Sequence, residues 1–169
     1  MSIDERRCDF LNFRSPDSSD GFKIHQLAAK SPPLDLNSVY HYALLCRHFA
    51  KTCLIAEREG QLAAFVTAYF PPDRPGTLFV WQVAVDSAFR AQGVAQKLLA
   101  ELVKRTNPAR IETTITPDNA ASQRLFTALA QTLGAGWRFE QTFLTTEELG
   151  GAHAPEMLFE IQLHTKDNQ

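Results

Sequence analysis

The sequence predicts a single α/β (α+β) domain of about seven strands and four helices, in the order β-α-α-β-β-β-α-β-α-β-β. Three observations carry that expectation. A short apolar strand, Val83-Ala84-Val85, passes through a polar turn into a helix with apolar residues at positions 94, 95, 98, 99, 102 and 103. These share one face at a period of about 3.6 residues. Strand-like stretches flank that unit and are punctuated by turns carrying Gly or Pro. The chain has 169 residues, 44% hydrophobic and 21% charged, enough to bury one core without staples or metals.

Residues 1–8 read as a loose tail, 9–164 as the domain and 165–169 as a second tail. Phe10 to Arg14 alternates weakly, as an edge strand does. Pro16-Asp17 opens a helix carrying Phe22, Ile24, Leu27 and Ala28. The run Ser31-Pro32-Pro33-Leu34-Asp35-Leu36-Asn37-Ser38 is a non-helical connection, because two prolines forbid continuing the helix. A second helix follows with Val39, Tyr40, Ala43, Leu44 and Phe49 on its apolar side, capped by Asn37 or Ser38. Thr52 to Ala56 and Leu62 to Tyr69 form a hairpin across Glu57-Arg58-Glu59-Gly60-Gln61. The turn Pro71-Pro72-Asp73-Arg74-Pro75-Gly76 then feeds a strand from Leu78 to Val85. Beyond the central helix, Ile111 to Ile115 reads as a strand. Thr116-Pro117 then supplies a helix start, Thr as N-cap and Pro as the first helical residue, with Ala121, Leu125, Ala128 and Leu129 facing the core. Trp137 to Leu144 and Pro155 to Leu163 are two last strands around a loop from Thr145 to Ala154.

Several function classes are excluded at this level. Net charge is −2 and the basic residues are scattered, so a nucleic-acid partner is not indicated. No apolar run approaches the ~18 residues of a membrane span, and the N-terminus lacks a signal-peptide core, which points to a cytoplasmic protein. Cys8, Cys46 and Cys53 are odd in number and form no CxxC pair, as expected of buried or idle thiols. No metal is expected: His153 and Glu156 have no evident third ligand.

The turn Arg90-Ala91-Gln92-Gly93-Val94-Ala95 carries the chemistry. Its small residues, opening directly onto a helix, present backbone N–H groups reinforced by the positive end of the helix dipole, which makes a phosphate cradle. Gly93 lets the backbone come close to an anion and Ala95 keeps the first turn low, while Arg90 adds a fixed charge at the rim. Neither the dinucleotide pattern GxGxxG nor the nucleoside-triphosphate loop is present. What stands here, Arg-x-x-Gly-x-Ala, resembles the acyl-CoA signature of the Gcn5-related N-acetyltransferase (GNAT) superfamily. The resemblance implies a mixed, strongly twisted sheet with helices on both faces, and acetyl-CoA as co-substrate. It implies that the strand beginning at Glu112 splays from its neighbour, freeing the backbone of Val83, Ala84 and Val85 to bond pantetheine as an added strand would. Asn119 and Ser122 match the family's next helix. Phe126 stands where the family often has the Tyr that protonates the leaving thiolate, so either another group acts or the thiolate leaves unaided; core packing is the plain reading of this Phe.

A finer resemblance covers nearly the whole chain. Pro32 to Ser38 with Tyr40, Phe79 to Val85, Glu112 to Ser122, and Gly150-Gly151-x-His153-x-x-Glu156 are similar to the family of acetyltransferases that acts on L-2,4-diaminobutyrate in making the compatible solute ectoine. That substrate has two ammonium groups and one carboxylate. Asp35 and Glu156 can supply anions, Trp81 a wall or cation-facing ring, and Asn37, Tyr40 and His153 directional hydrogen bonds. Each has a plainer role too: Asp35 as turn organiser, Trp81 as core, His153 as a surface residue, Tyr40 packed on its helix. Glu156 is the first choice for the base that deprotonates the amine and His153 the second. Relatives imply a homodimer. The alternatives are an acetyltransferase for another small amine or a protein N-terminus, or a non-catalytic acyl-CoA-binding sensor.

Overall fold

A computed structural model describes residues 11–163. Both tails, Cys8 and Phe10 lie outside the described residues. Seven strands and four α-helices form among those described: β1 Asn12–Arg14, α1 Gly21–Ala29, α2 Val39–His48, β2 Leu54–Arg58, β3 Gln61–Tyr69, β4 Thr77–Val85, α3 Val94–Thr106, β5 Arg110–Ile115, α4 Ala120–Thr132, β6 Gly136–Leu144 and β7 Glu156–Gln162. This is the expected strand and helix order. The chain divides into two compact units that share β4: one holds the described part of Met1–Tyr69 together with Trp81–Thr106, the other Phe70–Val80 with the described part of Asn107–Gln169.

In the first unit the strands run β1-β2-β3-β4, with β1, β2 and β3 antiparallel. Both faces of this sheet are covered, which explains why β3 is buried almost end to end instead of alternating. Ile55 and Phe65, opposite each other in register, join Ile24, Leu27, Tyr42, Leu45 and Cys46 of α1 and α2 in one apolar cluster. Leu54 and Val66 have the other parity and turn to the opposite face. There α3 packs on β2 and β3 with Leu98, Leu99 and Leu102 buried. Gly21 is required where α1 meets α2, because a Cβ there would lie 2.6 Å from the Ala43 backbone nitrogen.

That close approach also turns α2. Its buried face is Tyr42, Leu45 and Cys46, whereas Val39, Tyr40 and Phe49 are exposed, which corrects the apolar side expected from periodicity. The cap choice resolves to Ser38, whose hydroxyl accepts from the His41 amide at 3.1 Å. Burial pushes the Cys46 thiol up to about 12 and the Cys53 thiol up to about 11, so both stay protonated and unreactive.

Arg14 ties β1 to its surroundings. Its guanidinium donates to both carboxylate oxygens of Glu57 at 2.8 Å and to those of Asp20 at 2.7 and 2.8 Å. Burial by itself would raise the Asp20 carboxyl, but Arg14 and the Asp17 amide outweigh it and hold it below the usual carboxylate range. The Asp20 contribution is therefore present above the unfolded value and lost as pH falls through the lower folded one. Arg14→Met should cost about 2 kcal/mol near neutral pH, less than for a fully buried pair because Arg14 is one-third exposed. The cost should shrink in acid, which urea unfolding between about pH 7 and about pH 2 would show; an equal cost throughout would be the wrong outcome.

In the second unit the order is β4-β5-β7-β6. β4 runs parallel to β5 through three register pairs, Thr77–Arg110, Leu78–Ile111 and Phe79–Glu112. β5 then continues to Ile115 against antiparallel β7. Phe159 of β7 gathers the aromatic core, with ring centroids 5.1 Å from Trp137, 5.6 Å from Phe139 and 5.9 Å from Phe126. Glu112 is buried and bonded by Arg74, while Glu160 is bonded by Arg138 at 2.6 Å and Arg110 at 3.2 Å. The start of α4 departs from expectation. Thr116 and Pro117 form a turn, and the N-cap is Asn119, whose side-chain oxygen accepts from the Ser122 amide at 3.1 Å. Phe126, Leu129 and Ala130 are its buried residues; Ala121 is exposed and Leu125 and Ala128 only partly buried.

Candidate active site

In the first unit, the segment joining β4 to α3 holds the turn expected to cradle an anion. Asp86 anchors it, its amide donating to the Ala63 carbonyl at 2.8 Å and its carboxylate accepting from the Ala88 amide at 3.0 Å. Arg90 donates from Nε to the Val85 carbonyl at 3.1 Å, and Gln92 from Nε2 to the Ala88 carbonyl at 3.1 Å. Two residues of the turn are left-handed: Ala91 at φ +57° and Gly93 at φ +71°. A Cβ on Gly93 would meet no atom within 4 Å, so backbone conformation, not space, is what calls for glycine. The first helical bond is from the Lys97 amide to the Gly93 carbonyl at 3.0 Å. The Val94 and Ala95 amides precede it, where a helix has no internal acceptors. Ala91 holds a strained conformation that nothing in its residue type announces.

Also in the first unit, the connection between α1 and α2 is tied to β4. The Pro32–Pro33 peptide is cis. Gln82 Nε2 donates to the Asp35 carbonyl at 2.7 Å, and the Tyr42 hydroxyl donates to Gln82 Oε1 at 2.9 Å. The Asn37 amide in turn donates to the Tyr42 hydroxyl at 3.5 Å. Asp35 and Asn37 are thus brought to one side-chain pair. Trp81, next to Gln82 in the strand, is 38% exposed and is not a core residue. His41 sets its ring edge-on to Trp81, centroids 4.7 Å apart. Tyr40 is 73% exposed, which corrects the expectation that it packs on its helix.

In the second unit, His153 and Glu156 stand at the end of the loop that leads into β7. His153 Nδ1 lies 2.6 Å from the Ala154 carbonyl. Since that oxygen only accepts, the contact places a proton on Nδ1 and leaves Nε2 toward Glu156. Glu156 Oε1 is 3.9 Å from Nε2. A carboxylate and an imidazole at that separation can bind the N–H bonds of a cation or pass a proton between them. Asn119 and Ser122 bond each other at the α4 start, and Phe126 is buried against Phe159. Among the described residues, no group of three or more His, Cys, Asp or Glu is placed to hold a metal ion. No helix among them is long and apolar enough to cross a membrane.

Sequence reasoning missed Tyr42, Gln82 and His41. The one available signal was Gln82 itself, a polar side chain inside the apolar run Phe79-Val80-Trp81-Gln82-Val83-Ala84-Val85.

The Acetyltransferase (GNAT) family model matches residues 21–130. The chain is 46% identical over 155 residues to the L-2,4-diaminobutyric acid acetyltransferase of Bordetella parapertussis, covering 89% of this chain and 83% of that one. It is 47% identical over 163 residues to its counterpart from Streptomyces anulatus, covering 92% and 91%. Among solved structures it resembles the diaminobutyrate acetyltransferase from Paenibacillus lautus in complex with its substrate L-2,4-diaminobutyric acid and coenzyme A. The TM-score is 0.87 at 38% identity, over 94% of this chain and 98% of the other.

Proposed function

Because this chain belongs to the GNAT acetyltransferase family and, within it, to the L-2,4-diaminobutyric acid acetyltransferases, we propose that it moves the acetyl group of acetyl-CoA to the 4-amino group of L-2,4-diaminobutyrate. The observation that carries this reading is the likeness to the Paenibacillus lautus enzyme, which binds diaminobutyric acid and coenzyme A. The left-handed Ala91 and Gly93 and the α3 start fit a diphosphate, so the amides from Ala91 through Ala95 hold that group and Arg90 flanks it.

The chemistry begins with a protonation deficit. An alkylammonium with a pKa near 10 is only ~0.1% free amine at neutral pH, a deficit of about 4 kcal/mol. Glu156 takes the proton, with His153 beside it to orient or relay. In the first unit, Asp35 and Trp81 offer an anion and a ring face to a cationic group. Asn37 and Tyr40 add directional bonds. The amine nitrogen attacks the thioester carbonyl carbon directly, the C–S bond breaks, the thiolate departs with the electron pair, and the second proton of the nitrogen passes to that thiolate or to water. A backbone N–H of Val83–Val85 stabilises the oxyanion. β4 runs on to Val85 beyond its last register pair with β5, which favours that use of its edge. Phe126 cannot protonate the leaving thiolate. The enzyme acts in the cytoplasm as a homodimer; the outer strand β6, with Trp137 and Phe143 46% and 37% exposed, supports that assembly.

Thiol release from acetyl-CoA should follow addition of diaminobutyrate and be at least about 10-fold less efficient with lysine, ornithine or a peptide N-terminus. NMR of the product should place the acetyl group on the 4-amino nitrogen. No thiol release with diaminobutyrate, or a better peptide substrate, would overturn the assignment.

A further inference from the structure

We propose that Tyr42 and Gln82 are positioning residues that hold the Asp35–Asn37 segment for substrate, an inference that rests on the diaminobutyrate reading of Asp35. Tyr42 has no exposed surface and Gln82 is 5% exposed, so their polar atoms must be satisfied inside the protein. They are satisfied by the connection itself. The Tyr42 hydroxyl donates to Gln82 Oε1 and accepts from the Asn37 amide, and Gln82 Nε2 donates to the Asp35 carbonyl. Two backbone groups flanking Leu36, itself 53% exposed, are thereby anchored to a helix and a strand.

The sequence makes this tether necessary. Pro32 and Pro33 remove two backbone donors from a short connection, and Asp35 to Ser38 adopt no helix or strand. Tyr42 projects from α2 within the apolar cluster, and Gln82 from β4 next to Trp81 in sequence. Neighbouring residues of one strand therefore meet α2 and the connection: Trp81 lies against His41, and Gln82 fixes the Asp35 backbone. Loss of either polar end lets the segment sample other positions without emptying the core. Such a change weakens substrate capture more than it weakens the fold.

The test uses the full chain with Tyr42→Phe and Gln82→Leu, and Ile24→Val as a control that loosens the same cluster without touching the tether. Each tether variant should raise KM for diaminobutyrate about 10-fold, the scale of one buried hydrogen bond, with KM for acetyl-CoA within about 2-fold. Amide hydrogen exchange of residues 34–38 should accelerate in both. Ile24→Val should lower Tm while leaving both KM values and the exchange of 34–38 in place. Unchanged diaminobutyrate KM in the tether variants, or both KM values rising together, would overturn the proposal while sparing the substrate assignment. If the wild-type chain released no thiol with diaminobutyrate, the substrate assignment would fail. Exchange at 34–38 would then decide the tether alone: acceleration supports it and no change overturns it.

Discussion

Glu156→Gln should lower kcat by about 10³-fold while leaving KM for acetyl-CoA within about 2-fold. Glutamine keeps the size and the hydrogen-bonding oxygen of the side chain but cannot accept the proton of the ammonium. The variant must then draw on amine already free in solution, which grows tenfold per pH unit below a pKa of about 10. Its rate should therefore climb with pH more steeply than that of the wild type, so raising the pH narrows the gap. His153→Gln is the companion measurement. With His153 Nδ1 donating to the Ala154 carbonyl, Nε2 lies 3.9 Å from Glu156, and the proposed mechanism gives His153 the orienting or relaying part and only second place as base. A smaller loss is expected there. Equal activity of Glu156→Gln across the pH range would remove Glu156 from the mechanism, and a larger loss in His153→Gln would hand the role to the imidazole.

Gly93→Val is the second large effect, and it falls on the other substrate. At φ +71° a side chain with a branched Cβ is strained by about 1–2 kcal/mol even though nothing stands within 4 Å of the added atom. The turn relieves that strain by rotating its peptides, which re-aims the amides before the first bond of α3. KM for acetyl-CoA should rise about 30-fold, and KM for diaminobutyrate should move little. Gly60 offers a matched control. It too is left-handed, at φ +79°, with no atom within 4 Å, but it lies in the hairpin between β2 and β3. Gly60→Val should lose a similar amount of Tm and leave both KM values alone. If the two variants raise KM for acetyl-CoA alike, the cradle is not where coenzyme A is held.

Strand positions and the central helix were legible because their signals are local. The apolar run 78–85 alternates or is continuous over the length of a strand, and the 3.6 period of Val94, Leu98, Leu99 and Leu102 admits one buried face. The face of α2 was not legible. Val39, Tyr40, Tyr42, Ala43, Leu44, Leu45 and Cys46 surround that helix with apolar or aromatic side chains, so periodicity alone offers several faces. The approach of Gly21 to Ala43 selects one of them. The α4 start was misplaced for a related reason. Thr116-Pro117 and Asn119 are both sound helix openings, and the cap falls to Asn119 because its side chain reaches the Ser122 amide.

From the residues alone came the order of strands and helices and the turn at 90–95 read as an anion cradle; its acyl-CoA signature and the candidate carboxylates Asp35 and Glu156 came from the resemblance to known acetyltransferases. The elements and the turn are written in neighbouring residues, where spacing translates directly into geometry. Tertiary structure alone decided that Tyr42 and Gln82 meet across 40 positions of chain, that Trp81 stays out of the core, and that Ala91 is left-handed. Those outcomes depend on which surfaces pack together and which backbone angles the packing imposes. Side-chain identity at a single position carries no record of either.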